Sequence, residues 1–269
     1  MFHNKLYFFK YQGTGNDFII LDQFDQHNSE ILHTELISRM CNRYFGIGGD
    51  GLMLLRRSLD ADFEMVYYNS DGNLSSMCGN GGRCIVALAY KLGYISEECN
   101  FLGPDGLHAA EVLDPKNIAI SMNIPGKLAT HQNDFIINTG SPHYIHFINE
   151  NINHFDILKF GRLIRNSASF KSHGINVNVV QVKKEMHLSI RTYERGVENE
   201  TLSCGTGVTA AALTYLSKYW HVKDLGKFTV TVESQGGTLT VSGTNVEGTY
   251  SDIKLMGAAE LVFEGSITV

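Results

Sequence analysis

Two stretches of this chain, set 126 positions apart at their cysteines, carry the same uncommon pattern. Asn69 to Arg83 reads NSDGNLSSMCGNGGR and Glu194 to Gly207 reads ERGVENETLSCGTG, so Cys78 and Cys204 are each followed by Gly-polar-Gly. Each then runs into an apolar segment, RCIVALAYKL after the first and VTAAALTYLSK after the second. A helix with almost no polar face must be covered on all sides. The spacing recurs elsewhere: the glycine turns at Gly15 and Gly140 are 125 apart, and Gly48 and Gly174 are 126 apart. Such a repeat predicts two similar halves, each with strands wrapped around one buried helix.

The pattern between these landmarks predicts mostly short strands. Leu6 to Lys10 and Phe18 to Asp22 flank the turn GTGND, and Ser29 to Cys41 has helical spacing. FGIGGDG precedes the apolar strand Leu52 to Leu55, and Phe63 to Tyr68 is a strand delivering Asn69 into the first cysteine loop. In the second half Phe135 to Gly140 enters the turn TGSPH, Phe155 to Ile164 is helical, and Gly174 to Val182 and Leu188 to Tyr193 are strands. The expected class is α/β in its α+β form, as two pseudo-symmetric halves of mainly antiparallel, barrel-like strands. The halves are residues 1–123, joined by a C-terminal strand at 258–269, and residues 124–257, with Pro125 and Gly126 marking the boundary.

Composition narrows the chemistry. A net charge of −6 and the lack of any basic run argue against nucleic acid as a partner. There is no 18-residue apolar span and no cleavable leader pattern, so a cytoplasmic protein away from membranes is expected. Five cysteines without a C-x-x-C pair read as reduced thiols, and zinc-ribbon and thioredoxin-like readings lose their support. No metal site is expected, and FGIGGDG lacks the Lys-Ser/Thr of a phosphate loop.

A cysteine at a helix start is chemically poised. The first turn leaves backbone N–H groups outside the helical ladder and carries partial positive charge. That environment lowers a thiol pKa from about 8.5 into a range of roughly 3.5 to 7.5. Glycines let the same N–H groups approach a carboxylate closely. Two such loops facing one carbon would place a base on one face and an acid on the other, which is what a racemase or epimerase needs. Two helix N-termini would also steady the charge developing on the substrate carboxylate, so no electron-sink cofactor is called for. Cys41, Cys84 and Cys99 read instead as small core residues. From the residues alone, His143 is a turn histidine and Glu194 a carboxylate ending a strand.

The motifs KYQGTGNDF, NRYFGIGGDGL, YNSDGNLSSMCGNGGRC, TGSPH, YERG and ETLSCGTG, in this order, resemble diaminopimelate epimerases from about Lys10 to the C-terminus. The resemblance implies a cofactor-independent isomerase that interconverts LL- and meso-2,6-diaminopimelate on the route to lysine and peptidoglycan. It implies two α/β halves with the site between them, and a homodimer. By matching position, Cys78 and Cys204 are the acid/base pair, and His143 and Glu194 tune the thiols. Gly79, Asn80, Gly205 and Thr206 hold the reacting carboxylate, and Asn16, Asn69, Asn176, Glu194 and Arg195 contact the substrate. Ser141 stands where the family often has Asn, and Gly51 where some members have a substrate-contacting Gln. Phe263 replaces a tyrosine associated with the dimer contact, and the stretch from Arg195 to Cys204 is one residue longer than in many members.

Three alternatives share parts of this pattern. A racemase of the same fold acting on proline, hydroxyproline or histidine would use the thiols equally well, but Arg195 and three asparagines favour a substrate with a second charged amino-acid end. A non-catalytic amino-acid-binding module would tolerate loss of either thiol. A thiol-redox protein is disfavoured by the missing C-x-x-C.

Overall fold

A computed structural model describes residues 5–25, 32–122, 126–220 and 226–269. The chain forms two compact units, Met1–Ile120 with Gly257–Val269, and Ser121–Met256.

The first unit opens with strands β1 (Lys5–Gly13) and β2 (Asn16–Gln23), an antiparallel hairpin. Its two turn residues, Thr14 and Gly15, have φ of 49° and 90°. Two successive left-handed residues match the twist of the flanking strands, and Gly15 meets that demand without strain. Helix α1 (Thr34–Cys41) leads to β3 (Gly51–Arg56), which lies parallel to β2. A parallel pairing needs such a crossover, because a tight turn cannot reverse the chain twice. Strand β4 (Phe63–Asn69) runs antiparallel to β3. Helix α2 (Gly79–Lys91) then crosses to β5 (Glu98–Gly103), parallel to β4. Strands β6 (Gly106–Asp114) and β7 (Asn117–Ser121) add antiparallel neighbours, and the C-terminal β17 (Glu260–Thr268) pairs with β1.

The second unit contains β8 (Ala129–His131), β9 (Asp134–Asn138), β10 (Pro142–Ile148), helix α3 (Ile157–Arg165), β11 (Asn176–Lys184) and β12 (His187–Glu194). It continues with β13 (Asn199–Thr201), helix α4 (Gly205–Tyr219), β14 (Gly226–Ser234), β15 (Gly237–Val246) and β16 (Thr249–Ala258). From β9 to β15 the pairings run antiparallel, parallel, antiparallel, parallel, antiparallel, with β14 against β12. From β1 to β6 they run in the same succession. The repeat expected from the sequence is present in strand order and sense.

The two apolar helices sit where their composition requires. Every residue of α2 from Asn80 to Ala89 is buried, and the helix touches β1, β2, β3, β6 and β17. In α4 the buried run is Gly207 to Leu216, against β9, β10, β11, β12, β14 and β15. Fully burying one such aliphatic side chain stabilises by roughly 1.5–3 kcal/mol, which keeps these helices inside. Helices α1 and α3 are amphipathic. α1 covers a cluster of Leu6, Ile19, Leu21, Leu52 and Leu54, and α3 covers one of Tyr144, Val177, Val179 and Tyr193.

Differences from the sequence expectation are confined to ends and edges. α2 and α4 begin at Gly79 and Gly205, earlier than the apolar runs, because helical geometry starts with the glycines themselves. α1 begins at Thr34, capped by the His33 ring, while residues 29–31 of the expected helix lie outside the described residues. Residues 123–125 of the expected boundary also lie outside them. The short strands β8 and β13 were not anticipated, since three residues carry too little periodicity to read.

Candidate active site

In the first unit Cys78 is the N-cap of α2, with extended backbone (φ −119°, ψ 116°), and its side chain makes no cap hydrogen bond to the helix. The thiol is therefore not turned back to satisfy the first turn, whose N–H groups stay outside the helical ladder. Its partial exposure contrasts with the burial of Cys41, Cys84 and Cys99. Burial pushes Cys84 and Cys99 up to about 12 and Cys41 up to about 11, so these three are protonated core residues.

A one-way chain of hydrogen bonds runs behind Cys78. Arg83 Nη2 donates to Asn80 Oδ1 at 3.1 Å, Asn80 Nδ2 donates to Asn16 Oδ1, and Asn16 Nδ2 donates to Asp50 Oδ2 at 2.9 Å. Each carboxamide presents its oxygen toward the cation and its nitrogen toward the carboxylate, so neither can flip without losing both partners. Asp50 is held in turn by Arg43, which also takes both oxygens of Asp17, at 2.9 and 2.6 Å. Lys10, buried in β1, completes the cluster with an ion pair to Asp17 at 2.7 Å and a hydrogen bond to the Gly48 carbonyl. Burial raises the Asp17 pKa, but hydrogen bonds and charge from Arg43 and Lys10 outweigh it and bring it down to about 2.

Arg83 is wholly buried in the otherwise apolar α2. Besides Asn80 it donates to Thr14 Oγ1 at 3.1 Å and to the Ala258 carbonyl at 3.3 Å. Burial lowers its pKa, opposed by the charges of Cys84 and Cys78 when ionised. The left-handed Thr14, a costly conformation for a β-branched residue, is tied down by these same bonds.

The remaining expected residues of this unit are placed differently. Asn69 is exposed at the end of β4, and its backbone closes the turn to Asn73. Gly51 lies opposite it in the ladder and is buried. A Cβ there would fall 2.4 Å from the Tyr68 carbonyl and 2.5 Å from the Tyr67 ring, so this position offers backbone only.

In the second unit Cys204 is the N-cap of α4, again extended (φ −131°, ψ 107°) and again without a side-chain cap bond. Its sulfur lies 3.4 Å from Thr206 Oγ1, which lies 2.9 Å from His143 Nε2. His143 is not a surface-turn residue: it is wholly buried, because Pro142 starts β10 and turns the next side chain inward. Burial, with a lesser contribution from Arg195, lowers its pKa to about 3 and keeps the ring neutral. Gly207 makes room for it, since a Cβ there would stand 2.6 Å from Asn178 Oδ1 and 3.3 Å from the imidazole.

A second cluster joins Ser141, Asn176 and Arg195. Asn176 Nδ2 donates to Ser141 Oγ at 2.8 Å and to the Pro142 carbonyl at 3.2 Å, and its Oδ1 accepts from the Arg195 N–H at 2.8 Å. The exposed Arg195 guanidinium donates to the His173 carbonyl at 3.2 Å and to Ser141 Oγ at 3.4 Å. Glu194, at the end of β12, accepts from Thr201 Oγ1 at 2.8 Å. The long stretch before Cys204 is pinned by Glu198, which takes Arg165, the Tyr193 hydroxyl and the Gly196 N–H. Among the described residues, no group of three His, Cys, Asp or Glu side chains is arranged to hold a metal ion, and no helix is long and apolar enough to cross a membrane.

A family model described as diaminopimelate epimerase matches residues 8–125 and 135–262. The chain belongs to the diaminopimelate epimerase family. The diaminopimelate epimerase of Flavobacterium psychrophilum is 46% identical over 270 residues, spanning 98% of this chain and 100% of that one. That of Chlorobaculum tepidum is 39% identical, over 96% of this chain and 99% of the relative. Among solved structures, a phenazine biosynthesis protein of the PhzF family from Bacillus anthracis superposes with a TM-score of 0.77 at 14% identity, covering 99% and 100% of the two chains. A hydroxyproline epimerase from Agrobacterium vitis gives 0.69 at 13% identity, covering 98% of this chain and 93% of that one. These likenesses establish the diaminopimelate epimerase-like α+β fold.

Several residues in these clusters were missed by sequence reasoning. Arg83 carried a signal, as the lone charge near the start of an apolar helix and three residues after Asn80. Thr14 and Asp50 lie within the glycine turns GTGND and FGIGGDG but carried no signal of their own, and Asn178 gave none beyond being polar between two valines.

Proposed function

We propose that this protein interconverts LL- and meso-2,6-diaminopimelate without a cofactor, using Cys78 and Cys204 as its two proton-transfer groups. The observation that carries the reading is the matched pair of helix starts. In each unit a cysteine with extended backbone caps a buried helix, and its thiol is not spent on capping. One cysteine, as thiolate, takes the α-proton onto sulfur and leaves the electron pair delocalised into the substrate carboxylate. N–H groups of Gly79-Asn80 and Gly205-Thr206, at the positive ends of α2 and α4, stabilise that charge. The other cysteine, as thiol, gives its proton to the opposite face of the carbon, and the thiols exchange roles in the reverse direction. In this reading the Ser141–Asn176–Arg195 cluster binds the non-reacting amino-acid end, with Asn16, Asn69 and Glu194 as further contacts. The enzyme acts in the cytoplasm as a homodimer, on the route to lysine and peptidoglycan.

The test is α-proton exchange in deuterated water across a panel of amino acids. Exchange with diaminopimelate by the wild type, and severe loss of epimerisation in both Cys78→Ala and Cys204→Ala, is expected. Exchange confined to another amino acid would overturn the substrate assignment, and full activity in either variant would overturn the mechanism.

A further inference from the structure

One buried polar group beside His143 has no place in the scheme above. Asn178 lies on β11, two residues beyond Asn176, and is fully buried. Its Nδ2 lies 3.1 Å from the Tyr144 carbonyl oxygen and 3.1 Å from His143 Nδ1, and its Oδ1 lies 2.9 Å from Thr192 Oγ1. Two strands therefore hold one carboxamide, β10 through Tyr144 and His143 and β12 through Thr192, and Gly207 in the first turn of α4 leaves the room it occupies.

These contacts fix a proton that coordinates alone do not show. A backbone carbonyl can only accept, so the Asn178 atom facing Tyr144 must be the NH2 group. That same NH2 faces His143 Nδ1 and brings its second hydrogen there, so Nδ1 must be the acceptor. The ring is neutral, so its one proton sits on Nε2. Nε2–H then donates to Thr206 Oγ1, and the Thr206 hydroxyl keeps its own hydrogen for the remaining neighbour, the Cys204 sulfur at 3.4 Å.

We propose that Asn178 is a positioning residue that sets the His143 tautomer and thereby makes Thr206 a hydrogen-bond donor to Cys204. The relay runs Asn178 Nδ2–H to His143 Nδ1, His143 Nε2–H to Thr206 Oγ1, and Thr206 Oγ1–H to Cys204 Sγ. A donor aimed at sulfur favours the thiolate over the thiol. With the opposite tautomer, Nε2 would accept the Thr206 hydrogen and the sulfur would lose its donor. Gly207 is part of the device, because any side chain there would push Asn178 Oδ1 out of place. The inference rests on the reading of Cys204 as a proton-transfer group, and its test separates the two.

The direct test is nitrogen NMR of protein labelled in histidine, with the His143 signals assigned by their loss in His143→Gln. The expected spectrum is a protonated Nε2 and an unprotonated Nδ1 in the wild type; a protonated Nδ1 would overturn the proposal. The second test is the rate of iodoacetamide alkylation of Cys204 at pH 7, followed on its own peptide by mass spectrometry. Asn178→Asp, which can only accept from Nδ1, is expected to slow it about tenfold, and Thr206→Val by about as much, the usual scale for a hydrogen bond to an ionised partner. Thr206→Ser restores the rate. The double variant Asn178→Asp/Thr206→Val is expected to be no slower than either single one, because both cut the same relay. Additive losses would mean that the introduced carboxylate acts through its charge alone, and would sink the proposal. An enzyme that fails to exchange diaminopimelate protons but shows the predicted tautomer and alkylation pattern would instead refute the functional reading and leave the relay standing.

Discussion

Arg83 donates to the side-chain oxygen of Asn80, three residues earlier on the same helix, at 3.1 Å, and no carboxylate is among the oxygens it is seen to bind. A buried cation held by neutral oxygens is unusual, because desolvation is not offset by a counter-ion. Here it orients Asn80 and supplies positive charge near Cys78.

Arg83→Met is therefore expected to shift the alkylation profile of Cys78 to higher pH by about one unit, the lower end of the effect of a nearby opposite charge. It should also raise KM, since Asn80 and Asn16 lose their fixed orientation. Arg83→Lys should recover the charge effect but not KM, as an ammonium cannot span the same oxygens. A pH-rate and alkylation series on the three proteins checks this. An unchanged Cys78 profile in Arg83→Met would show that the cation only braces the helix.

Lys10 and Asp17 form the structural anchor of the same network. Replacing Lys10 by Met leaves a largely buried carboxylate with Arg43 alone, and breaking a buried pair on one side typically costs about 3–5 kcal/mol. Arg43 is half-exposed and keeps part of the compensation, so about 3 kcal/mol is expected by urea denaturation. A loss below about 1 kcal/mol would place the pair among weak surface bridges.

Gly207→Ala opposes two effects of known size. Alanine in a helix is favoured over glycine by about 1 kcal/mol. Against this, the new Cβ would stand 2.6 Å from the Asn178 oxygen, an atom held by Thr192, and overpacking costs about 1–3 kcal/mol. The clash should win, lowering Tm by several degrees and slowing turnover. A thermal melt no lower than wild type would show that the His143–Asn178 pocket yields easily.

His143 should dominate one limb of the acid stability curve. Its folded pKa of about 3 lies well below the unfolded value near 6.5. Between those values the unfolded chain binds a proton that the folded chain refuses, so stability falls as pH falls, by about 1.4 kcal/mol per unit. Asp17 contributes in the same direction but later, since its stabilisation is lost only as pH drops below about 4 toward 2. Urea midpoints of wild type and His143→Gln at pH 6.5, 5.5 and 4.5 should diverge in slope accordingly. Parallel curves would mean that the ring protonates freely.

The sequence revealed the scaffold more fully than the wiring. Two helices without a polar face can only be buried, and a cysteine and glycine turn running straight into each of them reads as the helix start, so α2, α4 and both N-caps were legible. Polar residues inside strands were not. Asn178 sits in an apolar run, and only the register of β10, β11 and β12 reveals that its partners are His143, Tyr144 and Thr192. The burial of His143 was hidden for the same reason: a Pro-His dipeptide reads from the residues alone as a turn until the strand that follows carries it inward. Gly51 looked like a lost contact, but its emptiness is filled by Tyr67 from the neighbouring strand.

The single charge in the core of α2 has one more consequence. An apolar rod among apolar walls can slide or spin with little change in contact energy, and an alanine- and leucine-rich helix is especially tolerant. Arg83 removes that freedom, because a shift of one turn would strip its guanidinium from Thr14 and Ala258 together. The residue thus acts as an indexing pin: it assigns the helix one rotational setting, and with it one direction in which Cys78 is presented.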